Sequence, residues 1–91
     1  MTGERRIEQL TQVPTILRVG PYRLFFYSAD GAEPPHVHIE RERSSAKFWL
    51  DPVVLAGSYG FARSELLDIE GIVAENEQML RKAWDDYFGN R

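Results

Sequence analysis

The 91-residue sequence contains no cysteine. A disulfide framework and a thiolate metal site are therefore both excluded, and we expect a chain that works in the reducing cytoplasm. No stretch approaches the roughly 20 consecutive apolar residues that cross a bilayer, and the polar start MTGERRIEQL lacks the apolar core of a signal peptide. The sequence thus predicts a soluble cytoplasmic protein that has no membrane partner.

Basic residues are a minority, with eleven Lys and Arg against fourteen Asp and Glu and a net charge of −3. Residues 1–61 hold seven acidic and seven basic side chains. The acidic excess therefore lies in residues 62–91, which hold seven acidic and four basic side chains. Direct nucleic-acid binding is not expected, because it needs clustered Lys and Arg to neutralise phosphates. The acidic C-terminal third indicates a solvated helix face or a surface for a basic partner.

Length and composition predict one domain over residues 1–91, with a single modest core. The polar residues 1–12 are predicted to form a flexible tail. No internal repeat and no low-complexity segment divides the chain. Functional residues are therefore expected on one compact unit.

The middle of the chain has the alternation that is typical of β-strands. In HVHIERE, Val37 and Ile39 fall on one face while His36 and His38 fall on the other. AKFWLD alternates in the same way, so its apolar residues Phe48 and Leu50 are expected on the core face with Val37 and Ile39. Aromatic and β-branched runs bounded by turn residues mark the other strands. We predict strands over residues 14–19, 22–28, 36–42 and 46–51, and a short buried strand over residues 53–58.

The C-terminal segment has the pattern of an amphipathic helix. From residue 62 to residue 88 there is no proline and only one glycine, Gly71. A helix of this length would measure about 40 Å, so we expect it to project beyond the sheet or to bend at Gly71. The predicted fold class is α+β, a small antiparallel sheet of four or five strands with one long C-terminal helix packed on one face. The apolar stripe of this helix comprises Leu66, Ile69, Val73, Leu80, Trp84 and Tyr87.

Three motifs in order, PPHVHIE, AKFWLDP and GF followed by EL, resemble the bacterial family known as domain of unknown function 4160 (DUF4160). The resemblance covers roughly residues 14–88. It implies a small antiparallel sheet that carries a C-terminal helix, and a gene often placed beside that of another small domain of unknown function, 2442. Such pairing implies a toxin–antitoxin-like module whose activity is not settled. At Ala62 the sequence departs from the Ser or Asn that is common there, so Ser64 is an alternative helix cap.

The two histidines, the only ones in the chain, are expected on a predicted hairpin between residues 36–42 and 46–51. A four-residue loop, 43–46, would pair Glu42 with Lys47 and His38 with Asp51. The histidines would then lie on the sheet face away from the helix. Because that face is rich in aromatic residues, we interpret it as a binding surface. Its predicted members are His36, His38, Glu40, Trp49, Asp51 and Tyr27.

Two other readings of the histidines stay open. His36 and His38 at spacing i, i+2 can chelate one ion, with Glu40 or Asp51 as a third ligand, although a closed structural zinc site would need further His or Cys. We therefore expect no bound metal and no other cofactor. Alternatively, His38 held by Asp51 could act as a general base, with His36 as a further catalytic candidate. That reading describes a histidine-dependent ribonuclease-like toxin or a metal-dependent hydrolase.

Two apolar patches predict assembly. The far end of the helix carries Trp84, Tyr87 and Phe88, and the opposite sheet face carries Trp49. Burial of one such side chain contributes about 1.5–3 kcal/mol, so both patches are costly to leave in water. We expect a protein–protein interaction domain that binds itself as a homodimer or binds the product of a neighbouring gene.

Overall fold

The computed structural model describes residues 15–89, so the predicted tail at 1–12 lies outside the described residues. Five strands are followed by two helices, with a short 3₁₀ helix, Ser28–Ala32, between the second and third strands. The α+β prediction is confirmed. The strands are β1 (Leu17–Val19), β2 (Tyr22–Phe25), β3 (His36–Arg41), β4 (Ser44–Leu50) and β5 (Val53–Tyr59), and the helices are α1 (Arg63–Glu75) and α2 (Glu77–Phe88).

The sheet is an antiparallel meander in which each strand pairs with the next along the chain, in the order β1-β2-β3-β4-β5. Short turns permit this order. Gly20, with φ of 56°, occupies the left-handed region in the β1–β2 turn, where glycine carries no Cβ penalty. The β4–β5 turn contains the cis Asp51–Pro52 bond. Among the described strands, β1 and β5 form the two edges.

The predicted register of the β3–β4 hairpin is wrong. Only Glu42 and Arg43 form the turn, and Arg41 pairs with Ser44. His38 consequently pairs with Lys47 and not with Asp51. The turn is short because Glu42 adopts a φ of 56°, which lets the two serines join β4. The pairing is therefore displaced by four residues along β4 relative to the prediction, and an even displacement leaves every side chain on its predicted face of the sheet.

The core lies between the sheet and the two helices. As predicted, Val37 and Ile39 of β3 share the core face with Phe48 and Leu50 of β4, and all four are buried. The α1 side chains pack on the same face. The buried cluster is Leu24, Phe26, Val37, Ile39, Ala46, Phe48, Leu50, Ile69, Val73, Leu80 and Trp84.

The strand at residues 53–58 is present, but the expectation that it is buried is wrong. Val54, Leu55 and Tyr59 are 48%, 40% and 74% exposed. An apolar sequence is compatible with a buried strand or with an edge strand, and only the strand order distinguishes them. A register shift opposite Lys47 and Phe48 leaves Ala56 as the extra residue of a bulge in β5.

The C-terminal helix is interrupted once, at Asn76, so it is two helices and not one. Gly71 lies inside α1 and does not mark the break. At the end of α1, the carbonyl of Ile72 accepts from the Asn76 side chain at 2.8 Å and from the Asn76 backbone N–H at 3.2 Å. Ala62 is the N-cap residue of α1, and within residues 15–89 no side-chain hydrogen bond from Ser64 or another residue caps that end.

Beyond Asn76, α2 packs its apolar side chains against the core. Leu80 and Trp84 are buried against their own chain, so the predicted apolar patch at the helix end is largely absent. Tyr87 alone of that group remains about half exposed. The helix ends at Gly89, whose φ of 90° suits glycine. No helix in the described part of the chain is both long enough and apolar enough to cross a bilayer.

Candidate functional site

Asp30 brings the two histidines together. The 3₁₀ helix places its carboxylate beside the start of β3, with Oδ1 3.2 Å from His36 Nε2 and Oδ2 3.0 Å from His38 Nε2. The backbone N–H of Tyr27 donates to Oδ2 at 2.8 Å and holds the carboxylate in place. Sequence reasoning missed Asp30, because its position depends on the path of the loop and not on any spacing. Asp30, His36 and His38 are called the Asp–His cluster below.

His36 is fully buried, at 0% exposure. Its Nδ1 lies 2.9 Å from the carbonyl oxygen of Pro34, which can only accept, so Nδ1 carries a proton and donates. Its Nε2 has no hydrogen-bond partner among the described residues, although Asp30 Oδ1 lies 3.2 Å away. The ring also contacts Trp49 and Trp84, with centroids 5.5 and 5.1 Å apart. His36 thus lies on the predicted sheet face, beside His38, but Trp84 of α2 contacts its ring and the side chain is buried.

His38 lies in the row of side chains that crosses β2, β3 and β4. Its ring stacks on Phe25 at 5.6 Å and meets the edge of Tyr27 at 4.7 Å. Burial lowers the pKa of His38, and the Asp30 carboxylate opposes that shift by favouring the charged ring. Tyr27 and His38 thus share a surface, as the sequence predicted.

The remaining predicted surface residues have partners of their own. Asp51 is 65% exposed and its nearest cation is Arg81, at 3.6 Å, so the predicted contact with His38 is absent. The carboxylate of Glu40 accepts from Arg23 at 2.7 Å. The ammonium group of Lys47 lies 4.6 Å from the ring centre of Trp49. Of the six residues, His36, His38, Tyr27 and Trp49 are linked by ring contacts, and Glu40 lines a hollow with Tyr27 and His38. Asp51 is not among the residues that line this hollow.

An ion pair closes the rim of the Asp–His cluster. Lys47 Nζ donates to Glu33 Oε1 at 2.7 Å, and this hydrogen bond lowers the pKa of Glu33. Glu33 Oε1 is also 3.8 Å from His36 Nδ1. The lysine is thus engaged with a carboxylate and with Trp49, which leaves the cluster without a basic groove among the described residues.

The edge strand β5 is the second feature with functional potential, and it has an apolar hollow on each side. On the sheet face of the histidines, Trp49 and Val54 line a hollow together with three prolines, Pro34, Pro35 and Pro52. On the helix face, a second hollow lies between β5 and α1. The side chains that line it are Phe48, Leu55, Arg63, Leu66, Leu67 and Glu70.

The family model described as domain of unknown function (DUF4160) matches residues 22–85 of the chain. The match includes all three members of the Asp–His cluster and all of β5. No curated protein and no solved structure matches the chain.

Proposed function

Since the chain belongs to the DUF4160 family, whose description names no activity, we propose a function from its surface: it is a protein–protein interaction domain that binds an extended segment of a protein partner along β5. The edge of a sheet presents free N–H and C=O groups that can pair with another strand. The observation that carries the proposal is the exposed, uncharged edge at Val53–Tyr59.

Edge strands of monomeric proteins are usually protected by charged side chains, by proline or by a covering segment. The seven residues of β5, VVLAGSY, include neither a charge nor a proline. Three of them, Val54, Leu55 and Tyr59, are large and at least 40% exposed. The bulge at Ala56 interrupts the edge only at its middle, so the half from Val53 to Leu55 is the better template for pairing.

The two hollows explain how a bound strand would gain specificity. Side chains of an added strand alternate between the two faces of the sheet. On one face they would meet the hollow that contains Trp49 and Val54, and on the other the hollow that contains Leu55 and Leu67. Backbone hydrogen bonds supply affinity in this binding mode, and the hollows select apolar side chains at alternate positions.

The proposed setting is a bacterial cytoplasm, in which the chain is one component of a toxin–antitoxin-like two-gene module. The partner in this proposal is the product of the neighbouring gene. A second copy of the chain is the other occupant that the same edge would accept, as a homodimer with β5 strands paired.

The test is a pull-down with the neighbouring gene product, together with light scattering of the chain alone. A Val54→Lys, Leu55→Lys variant places two charges in the edge and should abolish binding, since a charged edge disfavours strand addition. Met79→Lys, on an exposed α2 position of similar exposure, is the matched control and should bind normally. Equal binding by both variants would remove β5 from the interface. A dimer mass that only the edge variant loses would identify a second copy as the occupant.

An enzyme is the second candidate, favoured by the 3.0 Å contact between His38 Nε2 and Asp30 Oδ2. A carboxylate that orients an imidazole is a common arrangement for a general base. In this role Asp30 replaces the Asp51 predicted from the sequence. Ribonuclease and hydrolase assays test this candidate by comparing the unchanged chain with Asp30→Asn and His38→Gln. If His38 is a general base oriented by Asp30, both variants should lose most of the activity.

A further inference from the structure

Three side chains with the chemistry of metal ligands converge at the start of β3. One ligand atom from each of Asp30, His36 and His38 lies within 4.8 Å of the other two. We propose that the Asp–His cluster binds one divalent transition-metal ion, of the kind that prefers two imidazoles and one carboxylate, such as zinc or iron(II). The proposal does not depend on strand binding at β5.

The first argument is the unpartnered nitrogen of His36. The Nδ1–H of this ring donates to the Pro34 carbonyl at 2.9 Å, which leaves the lone pair of a neutral ring on Nε2. A backbone carbonyl bound to the other ring nitrogen is the usual support of a metal-ligating histidine, because it fixes the tautomer and the orientation of the ring. Pro34 and Pro35 hold that carbonyl next to the strand that carries the ring.

The second argument is the surroundings of this nitrogen. Nε2 of His36 is buried, has no hydrogen-bond partner among the described residues, and lies 3.2 Å from Asp30 Oδ1. With His36 neutral, two acceptors would face each other, which costs free energy in a buried place. A cation between them satisfies both lone pairs at once.

The third argument is distance. Zinc binds imidazole nitrogen at about 2.0–2.1 Å and carboxylate oxygen at about 2.0–2.2 Å, so tetrahedral ligand atoms lie roughly 3.3 Å apart. The two observed histidine–carboxylate separations are 3.2 Å and 3.0 Å. The centroids of the two histidine rings are 5.0 Å apart, and their ligand nitrogens lie within 4.8 Å of each other. Three protein ligands leave one position open, as in catalytic and not in structural zinc sites.

The alternative to a metal ion at His36 Nε2 is a proton. A charged His36 ring beside Asp30 would form a buried ion pair and would also use the free nitrogen. The identity of the ligands separates the two cases: an ion pair needs His36 and Asp30 alone, whereas a metal site also needs His38. A site with two imidazole nitrogens is disfavoured for calcium and magnesium, which take oxygen ligands.

The experiment uses the full chain without a histidine tag, since its own two histidines are the ligands under test. Metal-free protein is titrated with Co²⁺ and with Zn²⁺, and binding is followed by calorimetry and by the visible absorption of Co²⁺. We expect one ion per chain, a Co²⁺ spectrum of four- or five-coordinate type, and a higher melting temperature with Zn²⁺. Absence of binding at an excess of both ions would overturn the proposal.

Variants assign the ligands. Asp30→Asn, His36→Gln and His38→Gln should each weaken binding at least about tenfold, since even changes next to a ligand have that effect. Asp51→Asn and Glu40→Gln, the carboxylates that the sequence pointed to, are matched controls and should leave affinity unchanged. If the fully buried His36 does not tolerate substitution, the partly exposed His38 and Asp30 carry the test. Binding that survives in these two variants would overturn the site, and either result leaves the β5 proposal untouched.

Discussion

Arg41 on β3 and Glu65 on α1 are joined by two parallel hydrogen bonds, from Nε to Oε2 at 2.8 Å and from Nη2 to Oε1 at 2.9 Å. The hydroxyl of Tyr22 on β2 donates to the same Oε2 at 2.6 Å. The carboxylate therefore ties the first turn of the helix to two strands. Arg41 is on the sheet face opposite His38, and its guanidinium group is engaged with Glu65.

The Arg41–Glu65 pair predicts a pH dependence of stability. The hydrogen bonds from Arg41, and then from Tyr22, hold the pKa of Glu65 below its ordinary value of 4.5. Ionised Glu65 therefore stabilises the fold above that ordinary value, and the contribution is lost as the pH falls through the lower, folded-state pKa. We expect Glu65→Gln to be less stable than the unchanged chain at neutral pH, with the difference shrinking in acid. Urea unfolding across a pH series measures it.

Glu70→Gln is the control for this prediction, because Glu70 is an exposed residue of the same helix. Its effect should be small at every pH. A stability difference between the unchanged chain and Glu65→Gln that stays constant from neutral pH to acid would contradict the assigned role of the ion pair.

Leu50 tests the position of the core. It is fully buried, and its truncation to alanine should lower the free energy of unfolding by about 2–5 kcal/mol through lost burial and the cavity left behind. Leu67, the same residue type at 60% exposure on α1, is the matched control. Leu67→Ala should cost less than about 1 kcal/mol. Chemical denaturation of both variants measures the difference, and similar losses would place Leu50 outside the core.

Two glycines should respond to alanine in opposite directions. A Cβ at Gly31 would meet the Phe88 ring at 2.7 Å, so Gly31→Ala forces apart α2 and the 3₁₀ helix and should cost about 1–3 kcal/mol. At Gly71, inside α1, a Cβ meets nothing within 4 Å, and Gly71→Ala should stabilise by about 0.5–1 kcal/mol. Thermal unfolding of the two variants measures both effects. A lower melting temperature of Gly71→Ala would show that this position needs its glycine.

Replacement of Glu42 by glycine should raise the stability of the fold. Its φ of 56° lies in the left-handed region, where a residue with a Cβ is strained. Relief of that strain in Glu42→Gly should outweigh the greater freedom of the unfolded chain and raise stability by a few tenths to about 1 kcal/mol. Arg43→Gly, at the neighbouring turn position whose φ is not positive, is the control and should not stabilise. A destabilised Glu42→Gly, measured by thermal unfolding, would contradict this account of the turn.

Local patterns allowed much of the fold to be predicted. Alternation in HVHIERE and AKFWLD placed Val37, Ile39, Phe48 and Leu50 on one buried face, because the side-chain period of a strand is two and is written into the residue order. The same alternation placed His38 and Tyr27 together on the other face. The helical stripe identified Ile69, Val73, Leu80 and Trp84 as apolar contacts, and all four are buried.

The hairpin register and the position of the helix break could not be predicted from those local patterns. The hairpin register depended on whether Glu42 would accept a left-handed conformation, and that small local cost was offset by pairing along the whole of β4. The position of the helix break depended on where α2 could cover the core, which favoured Asn76 and not Gly71. Both outcomes are set by packing over many residues, so no short window of sequence contains them.

The sequence by itself determined which residues face the core and that two histidines share one strand, since periodicity alone decides both. Only the tertiary structure decided that Asp30 is their neighbour and Asp51 is not, because a loop carboxylate is positioned by the whole chain path. It also decided that β5 is an exposed edge, since an uncharged apolar strand is buried or free according to the order of strands in the sheet. The side-chain chemistry of a residue is known from the sequence, whereas contacts between residues distant in the sequence are determined by how the whole chain packs.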